Sequence, residues 1–214
     1  MLHEAVAAYG LHIFGRSSID ERADTPWRSV WLVGPAPGLF WRNFSNSKEA
    51  RDGAPDPIDR WSRRVAQKIA QDYGLEAVFP FGDPPDQPFL HWALRSGTFF
   101  SSPIGLLVHP HFGLWASFRF GLLSVEYAVT SLHSSPCTGC AEPCRTRCPV
   151  DAFADGFDAQ KCARHVRSEA GLACRKQGCL ARHACPAGVA MAPEPERAAH
   201  HMAIFVKNRM ACAE

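Results

Sequence analysis

The chain has 214 residues, of which 46% are hydrophobic and 21% charged, a composition typical of a folded protein rather than a disordered one. This length suffices for one large domain, or for one domain with a small appendage. The formal net charge of +2 is too small to indicate a nucleic-acid-binding surface, so we expect no nucleic-acid partner. No run approaches the roughly 18 consecutive apolar residues of a transmembrane helix, so we expect no membrane partner.

The meaning of the nine cysteines depends on the compartment. Met1–Gly10 contains His3 and Glu4 and lacks the basic start of a signal peptide. The pair Arg63–Arg64 lies too far along the chain for a twin-arginine export signal. We therefore expect a cytoplasmic protein, in which closely spaced cysteines bind metal more often than they form disulfides.

The first predicted elements alternate between helix and strand. Met1 to about Arg28 predicts a short helix, an extended segment and a turn around Asp24–Pro26. Ser29–Val33 is typical of a buried strand, and the run of prolines and glycines over 34–38 ends it. Further along, Ala77–Phe81 predicts a short strand.

Pro55–Gly74 shows the clearest helical pattern. Asp56 can cap this helix, Pro57 suits its first turn, and Gly74 suits the position past its end. Apolar residues recur at helical spacing and predict a buried face. They are Ile58, Trp61, Val65, Ile69 and Tyr73.

A hairpin is predicted between residues 104 and 120, after a proline-rich loop over 82–87 and a short helix over 88–96. Ile104–Val108 and the alternating residues 116–120 predict two strands, joined by a tight turn over His109–Gly113. Arg119 projects from this apolar setting and needs an anionic or polar partner there. Residues 1–135 contain no cysteine, so we predict two domains, 1–135 and 136–214.

The cysteine region begins with Cys137–Pro149, where four cysteines follow at intervals of three, four and four residues and a proline follows the last. Three close thiolates can hold three corners of a cubane cluster, and in two-cluster ferredoxins the fourth cysteine ligates the other cluster. After this stretch, Asp158–Gly171 predicts a helix that Asp158 caps, with Cys162 in its second turn. A second group of four cysteines also ends in Cys-Pro. The rule assigns a first cysteine set of Cys137, Cys140, Cys144 and Cys185, and a second cysteine set of Cys148, Cys162, Cys174 and Cys179.

Zinc is the competing metal, because four thiolates can bind it in a tetrahedron. Two C-x2-C pairs would favour zinc, but only Cys137–Cys140 has this spacing, and both groups end in Cys-Pro. The pattern therefore favours two [4Fe–4S] clusters. Cys212 has no partner left and is expected to be free. A ferredoxin alone would not require the preceding 135 residues, so we expect these to hold a redox-active ligand.

The cysteine region resembles that of epoxyqueuosine reductase and, more distantly, that of the reductive dehalogenases. There, Cys-Pro is followed by a stretch of small residues and then by an Asp-x-x-x-Cys helix, matched here by Asp158–Cys162. The last three cysteines come next. This chain has one extra residue between Cys140 and Cys144, and wider gaps around Cys179. The resemblance implies a ferredoxin-like region with two clusters.

The first 135 residues are similar to the CblC family of cobalamin-processing chaperones. The similarity is specific over Gly105–Arg119, which reads GLLVHPHFGLWASFR, and weaker over Leu32–Phe40 and Asp56–Arg60. It implies an α+β fold with a modified flavin-nitroreductase-like sheet-and-helix domain. Arg119 matches the family's arginine associated with a thiol co-substrate and is the candidate catalytic residue.

The same resemblance implies a corrin pocket lined by Gly105 and the His109–Trp115 segment. The implied cobalamin-binding residues are Gly105, Val108, His109, Pro110, Phe112, Gly113 and Trp115. We therefore expect an oxidoreductase that takes electrons from an external donor, passes them through its clusters, and reduces or removes the upper axial ligand of cobalamin.

Two other functions are compatible with the pattern. One is an electron-transfer protein that carries FMN or no further cofactor and serves another enzyme. The other, weaker, is an epoxyqueuosine-type reductase acting on tRNA, for which the chain is short and has little positive charge. Reductive dehalogenation is disfavoured by the missing export signal. No oligomeric state is predicted.

Overall fold

The computed structural model describes residues 1–19, 25–82, 87–129 and 133–211. The chain is mixed α/β with a small antiparallel sheet. Its helices are α1 (Leu2–Ala7), α2 (Leu39–Ser45), α3 (Pro57–Tyr73), α4 (Phe89–Arg95), α5 (Pro143–Thr146), α6 (Ala159–Arg167), α7 (Leu172–Gln177), α8 (Leu180–His183) and α9 (Pro195–Ala211). Its strands are β1 (Leu11–Ser18), β2 (Ser29–Pro35), β3 (Glu76–Val78), β4 (Phe100–Ser101), β5 (Leu107–Val108) and β6 (Phe120–Ser124).

The chain forms two compact units that each combine two separate stretches. Unit 1 comprises Met1–Phe100 and Ala116–Ser134, and unit 2 comprises Ser101–Trp115 and Ser135–Glu214. The passage at Ser134 lies one residue from the predicted boundary. Ser101–Trp115, which the sequence pattern placed in the first domain, belongs to the unit that contains the cysteine region.

The sheet of unit 1 is antiparallel, with strand order β1-β2-β6-β3. The buried strand predicted over Ser29–Val33 is confirmed and extends to Pro35, with Val30, Leu32 and Val33 fully buried. Its partner β6 pairs Phe120 with Val33. The two central strands, β2 and β6, are therefore almost wholly buried.

The hairpin predicted between residues 104 and 120 is wrong, because its first strand is reduced to the two residues of β5 and β6 begins only at Phe120. Before that residue the chain crosses Gly34 so closely that a Cβ there would lie 1.7 Å from the carbonyl oxygen of Ser117. Phe118 instead packs in an aromatic cluster, with ring centroids 5.1 Å from Phe99 and 6.3 Å from Phe14. The apolar alternation came from this packing and not from strand pairing.

The helix predicted over 55–74 is confirmed as α3. Its apolar face from Ile58 to Ile69 is buried in the core of unit 1, where the Trp61 ring lies 5.5 Å from that of Phe40, but Tyr73 at the end of the helix is 40% exposed, contrary to the prediction. Gly74 ends the helix in a left-handed conformation with φ of 65°. The predicted cap is wrong, since Asp56 has φ of 50° and its side chain makes no capping hydrogen bond.

Unit 2 connects its cysteines through short helices. The Asp158 side chain caps α6 as predicted, accepting a hydrogen bond of 2.8 Å from the Lys161 backbone. The helix ends at Arg167 rather than at Gly171, because the chain turns so tightly that a Cβ at Gly171 would lie 1.9 Å from the His165 carbonyl oxygen. The next helix, α7, packs against α9.

Two more predicted elements are present, and three predicted features lie outside the described residues. The strand predicted over 77–81 is the shorter β3, and the helix predicted over 88–96 is α4. Asp24, residues 83–86 of the proline-rich loop, and Cys212 lie outside the described residues. Within the described ranges, no helix is long and apolar enough to cross a membrane.

Candidate metal centres

The first cysteine set lines one cavity of unit 2. All four of its members border this cavity, although Cys185 is 41 residues beyond Cys144 in the chain. Cys137 and Cys140 lie on one turn, in which the Cys140 amide donates a hydrogen bond of 3.1 Å to the Cys137 carbonyl oxygen. Cys144 lies on α5, and Cys185 follows α8. The structure thus brings together the four thiols that the ferredoxin rule grouped.

The electrostatics of these thiols reflect the same proximity. Burial raises the pKa of Cys137, and the thiols of Cys185 and Cys140 raise it further. Burial likewise raises the pKa of Cys144, with Cys185 as the next contributor. A nearby thiolate has this effect because like charges repel, which disfavours the charged form of the thiol. A bound cation or cluster would remove the repulsion and hold the thiolate forms.

The second cysteine set is gathered from three helices and the loop after α5. Cys162 lies on α6, Cys174 on α7, and Cys179 at the start of α8. Burial raises the pKa of Cys162 to about 12, and Cys179, Cys148 and Cys174 raise it further. Burial also raises the pKa of Cys174, where Cys179 and Cys148 again contribute. The thiol neighbours of both residues therefore belong to the second cysteine set.

All eight of these thiols are free of disulfide bonds. Within the part of the chain that the structure describes, no group of three or more His, Cys, Asp or Glu residues is arranged to hold a single metal ion.

The donor sets fit [4Fe–4S] clusters in number and in chemistry. Each set offers four thiols, which is the number of ligands that such a cluster takes. Backbone amides point at sulfur in both sets: Glu142 donates to Cys140 Sγ at 3.4 Å, and Ala152 donates to Cys148 Sγ at 3.3 Å. Hydrogen bonds of this kind stabilise thiolates and tune the potentials of clusters.

The predicted corrin-binding segment adjoins the first cysteine set within unit 2. Val108 and Leu114 line the same cavity as the four thiols. The turn at Gly113 packs on the chain just after Cys185, since a Cβ at Gly113 would lie 1.9 Å from the Ala187 carbonyl oxygen. A Cβ at Gly188 would in turn lie 2.3 Å from the carbonyl carbon of Phe112. Only glycine at both positions permits this approach.

The His109–Gly113 turn is held by its own hydrogen bonds. The backbones of His109 and Gly113 exchange two bonds, of 2.9 and 2.8 Å. The imidazole Nδ1 of His109 accepts from the amides of His111 and Phe112 at 3.1 and 3.2 Å. This ring therefore shapes the turn, which contains Pro110. Val108 and Phe112 are buried by packing, whereas space is open around Gly105.

Trp115 continues the segment towards the second cysteine set. Its ring lies 4.7 Å from that of His183, and the guanidinium carbon of Arg182 lies 5.3 Å from its centroid. Both partners belong to α8, which begins directly after Cys179. The segment from Val108 to Trp115 therefore contacts the surroundings of both sets.

Arg119, the candidate catalytic residue, lies in unit 1. Its side chain forms an ion pair with Asp59 on α3, and its Nε donates to Ser62 Oγ at 3.0 Å. The guanidinium carbon lies 5.0 Å from the Phe81 ring centroid. Burial lowers the pKa of Arg119, and Asp59 opposes this shift. Asp59 is thus the anionic partner that the sequence pattern required.

Sequence reasoning missed three residues of these sites. Ser102 lines the cavity of the first cysteine set, and Arg182 stacks on Trp115. Gly188 packs against the backbone of the His109–Gly113 turn. The available signal was position: Arg182 lies between Cys179 and Cys185, and Gly188 follows the second Cys-Pro.

A scan against protein-family models finds no match for the chain. A search of the curated proteins finds no match either. The assignment of a function therefore rests on the sequence motifs and on the geometry of unit 2.

Proposed function

We propose that the protein is an iron–sulfur-dependent oxidoreductase that binds cobalamin and reduces or removes its upper axial ligand, acting in the cytoplasm. The observation that carries this proposal is the gathering of eight thiols into two interleaved sets, in the same unit as Gly105–Trp115, the larger part of the segment similar to the CblC family. The gathered thiols support electron transfer, and the similar segment supports cobalamin as the substrate.

The ligands of the two clusters are the two cysteine sets. When bound, the clusters supply transfer of single electrons. The chain contributes the thiolates, the amides of Glu142 and Ala152 that donate to sulfur, and the packing of Gly113 on Ala187 that positions the loop after Cys185. The two sites are interleaved, because Cys148 and Cys185 each belong to a set whose other members come from the other sequence group.

Cobalamin suits this electron supply. Removal of cyanide from cobalt(III) needs one electron at cobalt, and yields cobalt(II) and a cyanide anion. The electron comes from an external one-electron donor by way of the protein. The segment from Val108 to Trp115 borders the first cysteine set and contacts α8, so a corrin bound along it would lie beside the electron supply.

The test begins with anaerobically purified protein. Its iron and acid-labile sulfide contents are measured, and its absorbance with cyanocobalamin is recorded before and after dithionite is added. We expect about eight iron atoms per chain, as two cubanes require, and a cobalt(II) spectrum that forms faster with protein than without it. Cys148→Ala should lose one cluster, whereas Cys212→Ser, a cysteine outside both sets, should keep both.

Absence of any spectral shift with every cobalamin form would defeat the cobalamin assignment. Extractable flavin with intact clusters would favour the alternative electron-transfer protein. Zinc in place of iron would defeat the redox assignment altogether.

A further inference from the structure

The hydroxyl of Ser102 and the Nε of Arg182 are buried hydrogen-bond donors of unit 2, and neither meets an acceptor within the described part of the protein. A buried donor without a partner destabilises the folded state, and more so when it is charged. Native proteins contain few such atoms, and each calls for an explanation, such as a bound group that accepts the bond.

Ser102 lies at the first cysteine set. Its residue is 8% exposed, and it lines the cavity bordered by the four thiols of this set. Its backbone is fully used, since its amide donates to the Leu106 carbonyl at 2.9 Å and its carbonyl accepts from Gly105 at 3.0 Å. The turn therefore fixes the backbone of Ser102, and the hydroxyl is the remaining polar group of this residue that can face the cavity.

Arg182 lies at the second cysteine set. It follows Cys179 by one helical turn of α8, and the Cys179 thiolate opposes the lowering of the pKa of Arg182 by burial. The side chain stacks over Trp115, whose other neighbour is His183. The His183 ring is held in turn by a 2.8 Å hydrogen bond to the Gln177 carbonyl. A cation with a buried Nε thus stands beside these thiols.

We propose that Ser102 and Arg182 are positioning residues, each donating a hydrogen bond to the sulfur of a different cluster and raising that cluster's reduction potential. This inference rests on the proposed function, since it requires the clusters. Reduction adds one electron and no proton to a cluster, so a nearby donor or cation stabilises the reduced form. Arg182 has the larger effect because it is charged and buried, where water screens little.

The test is an anaerobic redox titration of the full-length holoprotein with dithionite, in which the midpoint of each cluster is followed by electron paramagnetic resonance. Arg182→Gln should make one cluster at least tenfold harder to reduce, which is about 59 mV for a one-electron couple. Ser102→Ala should shift the other cluster in the same direction, by a few-fold.

Matched variants separate the roles of charge, hydrogen bond and packing. Arg182→Lys keeps the charge and should recover more than half of the shift, and Ser102→Thr keeps the hydroxyl and should restore the native potential. Arg147→Gln removes an exposed charge beside Cys148, where solvent screens it, and should shift either midpoint by less than threefold.

An unchanged midpoint in either Arg182→Gln or Ser102→Ala would overturn the inference, as would an equal shift from Arg147→Gln. If Arg182→Gln fails to hold its clusters, Arg182→Lys and the two Ser102 variants still test the inference, because a native potential in Ser102→Ala refutes the role given to the Ser102 hydroxyl. Wild-type protein without iron would instead defeat the proposed function, so the two failures are distinguishable.

Discussion

Gly188→Ala tests whether close packing of the turn holds the loop after Cys185 in place. Gly188 has φ of +71°, a conformation that residues with a side chain rarely adopt. Its new Cβ would lie 2.3 Å from the Phe112 carbonyl carbon and 2.5 Å from the Gly113 nitrogen. Both are backbone atoms, so neither can rotate away, and the turn must move.

The magnitude follows from two contributions. The left-handed conformation costs about 1–2 kcal/mol for a residue with a Cβ, and overpacking typically adds about 1–3 kcal/mol. We therefore expect Gly188→Ala to lower the free energy of unfolding of unit 2 by about 2–5 kcal/mol. Because Cys185 is only three residues away, we also expect loss of iron from the first cysteine set.

Gly105→Ala is the matched control. Gly105 has a nearly equal φ of +74°, but no atom lies within 4 Å of a Cβ placed there, so only the conformational cost of about 1–2 kcal/mol applies. Both variants are compared by the midpoint of anaerobic urea unfolding and by iron per chain. Equal destabilisation by the two substitutions, or full iron and a native midpoint in Gly188→Ala, would refute the reasoning.

Three further predictions concern single residues. Asp59→Asn should lower the thermal stability by about 1–3 kcal/mol, because it leaves the buried Arg119 without its anionic partner, although Asp59 is itself partly exposed. Glu49→Gln should cost about 1–2 kcal/mol at pH 7, since the hydrogen bond from Arg64 lowers the pKa of Glu49 from 4.5 to about 2. A lowered pKa stabilises the fold above pH 4.5, so this difference should vanish as the pH falls towards 2. Cys212→Ser should retain the full iron content.

Each of these predictions has an outcome that contradicts it. An Asp59→Asn protein as stable as wild type would mean that Arg119 does not depend on this carboxylate. A difference between wild type and Glu49→Gln that persists unchanged in urea titrations from pH 7 to pH 2 would remove the role given to Arg64. Loss of a cluster in Cys212→Ser would break the assignment of eight ligands.

Local patterns predicted the helix α3 and the cap at Asp158 correctly, because both depend on residues within a few positions of each other. The grouping of Cys185 with Cys137–Cys144, now seen around one cavity, also followed from spacing, since cluster ligation imposes a regular order on cysteines.

Local patterns could not predict contacts between residues that are distant in the chain. Nothing local indicates that Ser101–Trp115 belongs to unit 2, because this depends on Gly113 meeting Ala187 across more than 70 residues. The late start of β6 has a similar cause, as Phe118 was drawn into an aromatic cluster with Phe99. The left-handed conformation of Asp56 replaced a cap that its residue type favours.

The most direct test of the whole account is a single turnover without external reductant. Protein reduced by dithionite, and then freed of it, is mixed anaerobically with cyanocobalamin. We expect up to about two cobalt(II) per chain, one for each cluster electron, with cluster absorbance returning in step as cobalt is reduced. Clusters that stay reduced beside unchanged cyanocobalamin would contradict it.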